Sequence, residues 1–221
     1  MTSQFKVSVT YQVSATNLSF MPENVKRPSG HHHGDLRRVL EQAALELVVT
    51  KGVGGFTMAE ASRRAGVSVA APYKHYADRD ALLSALVVRA YTEQREQYRA
   101  AMADVTDPGE QLGAFAAAYV QFAADRPALF ELTFAAGLDK ARFPALAEAG
   151  QALFTELFAP ARALCGDDRQ AHRLVLAIAA CAHGHAVFLT EGVLADLPNP
   201  LSDAKREAAA AASALIAAYV A

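Results

Sequence analysis

From Asp35 to the end of the chain, apolar residues recur three and four apart, and no stretch alternates convincingly with period two. That spacing restricts the fold to packed helices, because each apolar stripe lies on one helix face and needs another element to cover it. Leu36, Val39, Leu40, Ala43, Ala44, Leu47 and Val48 make the first stripe, and Gly52 ends it. Thr57-x-x-Glu60 is a capping box that opens a short helix to about Ala65, where Gly66 breaks it. Ser68 reads as the cap of a second short helix through Tyr76. Asp78 caps a longer one with Leu82, Leu83, Leu86, Val87, Ala90 and Tyr91 on its apolar face. Asp107-Pro108-Gly109-Glu110 is a further start signal, and Pro127 opens a helix stopped by Gly137. Residues 144–165 predict a helix kinked or broken at Pro160, residues 168–190 a long apolar helix, and residues 202–220 an alanine-rich one beyond Pro198 and Pro200. The expectation is an all-α chain of nine helices with no sheet and no internal repeat.

The 221 residues, 52% hydrophobic and 20% charged, suffice for a large buried core and argue against a mostly disordered chain. Cys165 and Cys181 form neither a C-x-x-C pair nor a zinc pattern and fit a reducing compartment. The longest apolar run, Leu174 to Leu189, is interrupted by His183 and His185 and falls short of the ~20 residues of a membrane helix. The first residues lack the layout of a signal peptide, so a cytoplasmic protein with no membrane partner is expected. Residues 1–34 read as a flexible extension. Phe5 to Val13 alternates weakly like a strand, and His31, His32 and His33 are adjacent side chains that make no preformed metal site.

The net charge of −2 conceals an asymmetry. Lys26 to Arg79 carries nine Lys/Arg against five Asp/Glu, whereas Ala101 to Ala221 carries eight against fourteen. A basic N-terminal part beside an acidic remainder suits a chain of which one part meets a polyanion.

Phe56 to Leu83 has the proportions of a helix-turn-helix: a short helix, a glycine turn and a second short helix. The second helix would enter the major groove of DNA. Val69, Ala70 and Ala71 at its start have no hydrogen-bonding side chain, yet they can touch thymine methyls and allow close backbone approach. Ser68 opens this helix, and Tyr73, Lys74 and His75 can donate to phosphate oxygens, although packing roles for Tyr73 and His75 stay open. Arg63, Arg64 and Arg79 add phosphate charge, and Thr57 caps a helix whose N-terminus can face a phosphate. Lys26 and Arg27 could form an arm reaching the minor groove, or a solvated linker.

At these residues the sequence resembles the TetR family of transcriptional regulators. Thr57, Ala65, Gly66, Val67, Ser68, Tyr73, His75, Leu82 and Leu83 match the family pattern, with Tyr76 in place of its usual Phe and Arg79 in place of its usual Lys. The departures are Ser62 for Ala, Ala70 for Gly and Pro72 for an aliphatic residue; Pro72 is expected to remove one hydrogen bond without breaking the helix. The resemblance implies an N-terminal three-helix DNA-binding domain over residues 35–80 and a C-terminal bundle, residues 81–221, for ligand binding and dimerisation. It also implies that Tyr73 and His75 contact the phosphate backbone while Tyr76 packs inward. Arg126-Pro127-Ala128-Leu129-Phe130 and Ala182-His183-Gly184 look like a subtype of the family that often carries Trp-His-Gly, with Ala182 where the Trp would stand.

The C-terminal part shows no nucleophile elbow, phosphate loop or zinc motif, so no catalytic residue, metal site or cofactor is expected. His183 and His185 point to different sides of a helix and cannot chelate one ion together. Aromatic residues interspersed with small ones can line a pocket for a small apolar or aromatic ligand or simply fill the core. The candidates are Tyr119, Phe122, Phe130, Phe134, Phe154, Phe158, Cys181, His185 and Phe188. The last two long helices suit a homodimer, whose paired reading helices would meet successive major grooves of a palindromic double-stranded operator. The reading is a dimeric DNA-binding regulator, a repressor released by its ligand. The alternative is a helical ligand-binding protein that has lost sequence-specific DNA binding.

Overall fold

The computed structural model describes residues 33–220. The extension proposed for residues 1–34, including its strand, the Lys26/Arg27 arm and His31 and His32, therefore lies almost wholly outside the described residues. Among the described residues there are eight α-helices and no strand: α1 (His33–Lys51), α2 (Met58–Arg64), α3 (Arg79–Met102), α4 (Pro108–Asp125), α5 (Pro127–Ala135), α6 (Pro144–Cys165), α7 (Asp168–Thr190) and α8 (Pro200–Val220).

The starts at Asp78 and Asp107 follow the sequence signals, and Asp167 caps α7 in the same way. The Asp78 carboxylate accepts the Ala81 N–H at 2.9 Å, Asp107 accepts that of Glu110 at 2.8 Å and Asp167 that of Gln170 at 2.9 Å. Each satisfies a donor that a helix N-terminus otherwise leaves orphaned. Two prolines act in opposite ways. α6 runs unbroken through Pro160, which is buried. Pro160 removes the N–H that would bond the carbonyl of Glu156, and the core contacts of Leu153, Leu157 and Ala161 on either side outweigh that loss. The ninth helix, expected over Ser68 to Tyr76, does not form. A single 3-10 turn, Pro72–Lys74, stands in its place. A proline ring collides with the carbonyl four residues earlier, here that of Ser68, as well as lacking an N–H. The Ser68 carbonyl instead accepts the Ala71 N–H at 3.0 Å, and the hydrogen bonds around Pro72 shift to the tighter pattern. α8 also begins at Pro200, two residues earlier than expected.

Residues from His33 onward form one compact unit. Leu40, Ala44, Leu47, Phe56, Met58, Ala61 and Leu82, from α1, α2, the loop between them and the start of α3, are buried in the core. α4 runs through the middle of the remaining helices, packed against α3, α5, α6, α7 and α8. Its buried residues, from Leu112 to Ala123, extend nearly all round, as a central helix requires. Ala204, Ala208 and Ala212 of α8 are buried four apart, and a Cβ added at Gly113 of α4 would stand 3.9 Å from Ala209 of α8, so small side chains line this close helix pair. α7 reaches, by length and composition, the size of a membrane-crossing helix, larger than its interrupted apolar run suggests. It nevertheless packs against α4, α6 and α8, burying Leu174, Val175 and Ile178.

Candidate nucleic-acid interface and ligand-binding region

Directional bonds hold the connection between α2 and α3. At the start of α2, the Thr57 hydroxyl accepts the Glu60 N–H at 3.2 Å while the Glu60 carboxylate accepts the Thr57 N–H at 2.9 Å. The Lys51 ammonium and that N–H hold the Glu60 carboxyl below its usual value. After α2 the chain turns through Gly66 at φ 70°, a conformation that favours glycine. The Val67 N–H reaches back to the Ser62 carbonyl and the Gly66 N–H to that of Arg63, at 3.0 and 3.1 Å. This paired closure fixes the direction in which the chain leaves the helix. Farther along, Pro72 and Tyr76 are buried. The Tyr76 hydroxyl donates to Glu41 of α1 at 2.5 Å, and burial, reinforced by that bond, pushes its pKa up to about 12.

Between these anchors a short tip projects. Ser68, Val69, Ala70, Tyr73 and Lys74 are exposed, Val69 to 51% and Tyr73 to 55%, and Ala71 is half-buried. The other sequence-derived candidates have structural partners. Thr57 is engaged in its capping box. The Arg64 guanidinium pairs with Glu46 of α1 at 2.6 Å. The Arg79 guanidinium donates to the carbonyls of Val53 and of Phe56, the latter at 3.0 Å, and lies over the Phe56 ring. It clamps the loop before α2 to the start of α3 and is turned to main-chain oxygens rather than standing free toward a phosphate. His75 is half-buried in a groove with Arg37, Glu41, Tyr76 and Phe143, away from the exposed set.

Sequence reasoning missed the contact that ties this region to the rest of the molecule. Arg142, in the connection between α5 and α6, donates to Asp78 and lies 3.5 Å from Asp80. Its own stem places the guanidinium over Phe143. The Ala81 N–H and Arg142 together hold the Asp78 carboxyl below its usual value. The only sequence signal was the pair of carboxylates beside the cap.

The nine pocket candidates separate. Tyr119, Phe130 and Phe134 gather around His183, which the sequence reading left out of the set. The Tyr119 hydroxyl lies 3.2 Å from His183 Nδ1, and the Phe134 and His183 ring centres are 4.3 Å apart. Burial lowers the His183 pKa and raises that of Tyr119. Tyr119 is buried, whereas Phe134 is 59% exposed, so the cluster runs from the core to the surface. Phe158 stacks instead on His172, with ring centres 5.1 Å apart. Phe122 is buried beside Glu93 and Arg126. Phe154, Cys181 and His185 are half-buried, and Phe188 is exposed.

One face of α7 lacks cover. Leu176, Ala180, Gly184 and Phe188, four residues apart, form an outward apolar stripe, and a Cβ added at Gly184 would meet no atom within 4 Å. Ala210, Ala214, Ala217 and Ala218 are exposed or half-buried on α8.

Comparison with known proteins accords with this arrangement. The family described as bacterial regulatory proteins, tetR family, matches residues 41–86, and the tetracyclin repressor-like C-terminal domain matches residues 112–215. A protein of unknown function from Rhodococcus sp. RHA1 is 29% identical, over 86% of this chain and 98% of its own, with a TM-score of 0.72. Two more distant structures share the fold. PfmR, a TetR family transcriptional regulator from Thermus thermophilus, is 18% identical over 80% of this chain and 97% of its own, TM-score 0.63. The fatty acid degradation regulator FadR from Bacillus halodurans is 14% identical over 83% and 97%, TM-score 0.64. A comparison with curated proteins gives no match. With one tetR-family model matching residues 41–86 and another matching residues 112–215 of the bundle behind them, the chain belongs to the TetR family of DNA-binding transcriptional regulators.

Proposed function

We propose that the chain acts as a homodimer that represses transcription from a palindromic operator and lets go when a small apolar or aromatic ligand enters the bundle. The observation that carries this reading is the tip Ser68–Lys74, exposed at Ser68, Val69, Ala70, Tyr73 and Lys74 and held by bonds on both sides. Ser68, Tyr73 and Lys74 supply phosphate contacts, and Val69 to Ala71 face the bases. The open stripe on α7 and the small alanines of α8 support pairing as a four-helix interface. The ligand site is best supported around Tyr119, Phe130, Phe134 and His183, where one polar pair sits among apolar rings. Release requires the ligand to bind the DNA-free conformation more tightly than the DNA-bound one. α3, which spans from the tip to the bundle, and the Arg142 contact with Asp78 and Asp80 are the connections through which that difference would pass. Such a regulator works in the cytoplasm, where DNA is present.

The contracted reading turn favours a second reading, a ligand-binding helical protein without sequence-specific DNA binding. One experiment separates the two. The full-length protein is used to select duplexes from a random library, and binding of the recovered sequence is measured by mobility shift against salt. The repressor reading predicts an enriched two-fold symmetric sequence bound by two copies, with affinity falling steeply as salt rises. Absence of enrichment together with absence of salt-sensitive binding favours the second reading.

A further inference from the structure

The shape of the tip also bears on which bases it can read. We infer that Val69 recognises the 5-methyl group of a pyrimidine in the major groove, thymine being its unmodified source. This deepens the DNA-binding reading and rests on it. Positions 69–71 carry no side-chain donor or acceptor, so no hydrogen-bond readout of a base edge can come from their side chains. Val69 is 51% exposed and Ala70 is exposed beside it, and together they form the apolar crest of the tip. The crest is held from both sides: the paired closure at Gly66 precedes it and the buried ring of Pro72 follows. Had residues 69–76 formed a full helix, longer side chains further along could have turned toward the bases. The single turn ends at Lys74, and His75 is drawn back into the groove beside Tyr76.

The chemistry of the groove then selects the partner. Every base edge in the major groove presents donors or acceptors, and thymine alone among the unmodified bases adds an apolar group, its C5-methyl. A polar edge pressed against the isopropyl group of Val69 loses its water without gaining a partner, which penalises binding. A methyl group there loses nothing and gains buried contact. Val69 thus favours a methylated pyrimidine and rejects the other edges at the same position. 5-Methylcytosine carries the same group and would be accepted too.

The test uses the full chain and the operator recovered by selection. Each thymine is replaced in turn by deoxyuridine, which removes only the methyl group. At one or more positions in each half-site, affinity should fall about fourfold, the worth of one buried methyl-sized group. Val69→Ala, a change at an exposed position that leaves the fold intact, should reduce that sensitivity to less than about twofold. Replacing the same T·A pair by C·G and then by 5-methyl-C·G distinguishes the sources. A gain on methylation, present in the wild type and lost in Val69→Ala, supports recognition of the methyl group wherever it comes from. A dependence on deoxyuridine without that gain supports thymine alone. Indifference to deoxyuridine at every thymine, in a protein that does bind the operator, overturns the inference while leaving DNA binding intact. Failure to enrich or bind any duplex overturns the DNA-binding reading, and this inference with it.

Discussion

Between α1 and the start of α3, directional contacts set the structure. Thr57 and Glu60 cap each other, Tyr76 donates to Glu41, Arg64 pairs with Glu46 and Arg79 grips two carbonyls across the loop. In the bundle the contacts around α4 are mostly rings and methyl groups: Tyr98, Phe115, Tyr119 and Phe130 meet edge-on or stacked at 4.9 to 6.0 Å, and alanines line α8. Hydrogen bonds fix angles as well as distances, whereas apolar contact asks only for filled volume. The difference teaches that the two halves suit different tasks. The head is held to a definite backbone geometry at its tip, as groove reading needs, and the bundle, held mostly by apolar packing, is where the proposed ligand would enter.

The largest expected effect probes the uncovered face of the bundle. Gly184→Arg puts a long charged side chain into open space on the α7 stripe, so each subunit should fold as before. Sedimentation should show a monomer, and operator affinity should fall about 100-fold or more because two linked half-site contacts become one. An intact dimer would break the assignment of that face. Next comes the clamp in the head. Arg79→Met removes two hydrogen bonds from a charged donor and a cation–π contact, and should cost about 2–4 kcal/mol in urea unfolding. A loss below about 1 kcal/mol would mean that directional contacts do not dominate the head. Thr57→Ala should cost about 1 kcal/mol and lower Tm by about 2–4 °C, measured by circular dichroism.

The smallest effect lies in the bundle and depends on pH. Burial lowers the His183 pKa below 6.5, so between 6.5 and its folded value the unfolded chain binds more protons than the folded one. Stability should therefore be full above pH 6.5 and decline as pH falls through that window. His183→Gln, compared with the wild type over about pH 7.5 to 5 in denaturant titrations, should flatten the decline. An unchanged slope would show that the imidazole is not held neutral beside Tyr119.

Much of the fold was legible because it is marked by local punctuation. Thr57-x-x-Glu60, Gly66, Asp78, Asp107-Pro108 and Gly137 act within a few residues of where they stand, so spacing alone carries their meaning. The reading failed at Pro72 for a physical reason. Counting only the lost N–H makes proline a small cost near a helix start, and the collision of its ring with the Ser68 carbonyl is what tightens the turn. At Pro160 the helix does not break, because burial of neighbouring leucines keeps it continuous. The remaining contacts join residues far apart in the chain: Tyr76 and Glu41 are 35 positions apart, Tyr119 and His183 64, and Arg142 and Asp78 64. No periodicity encodes such pairs. Arg79 illustrates the same limit, since a charge beside a reading element could serve a phosphate or a carbonyl, and only the fold decides.

In the proposed complex the crest between Gly66 and Pro72, with Tyr73 and Lys74 beside it, meets duplex DNA. Its most direct test is a binding titration of Tyr73→Phe/Lys74→Ala against the selected operator and against a scrambled duplex, each over a salt series. Both positions are exposed, so melting should match the wild type. The account predicts weaker binding to both duplexes, by about tenfold, with a shallower salt dependence. Equal affinity and an unchanged salt slope in the double variant would contradict it.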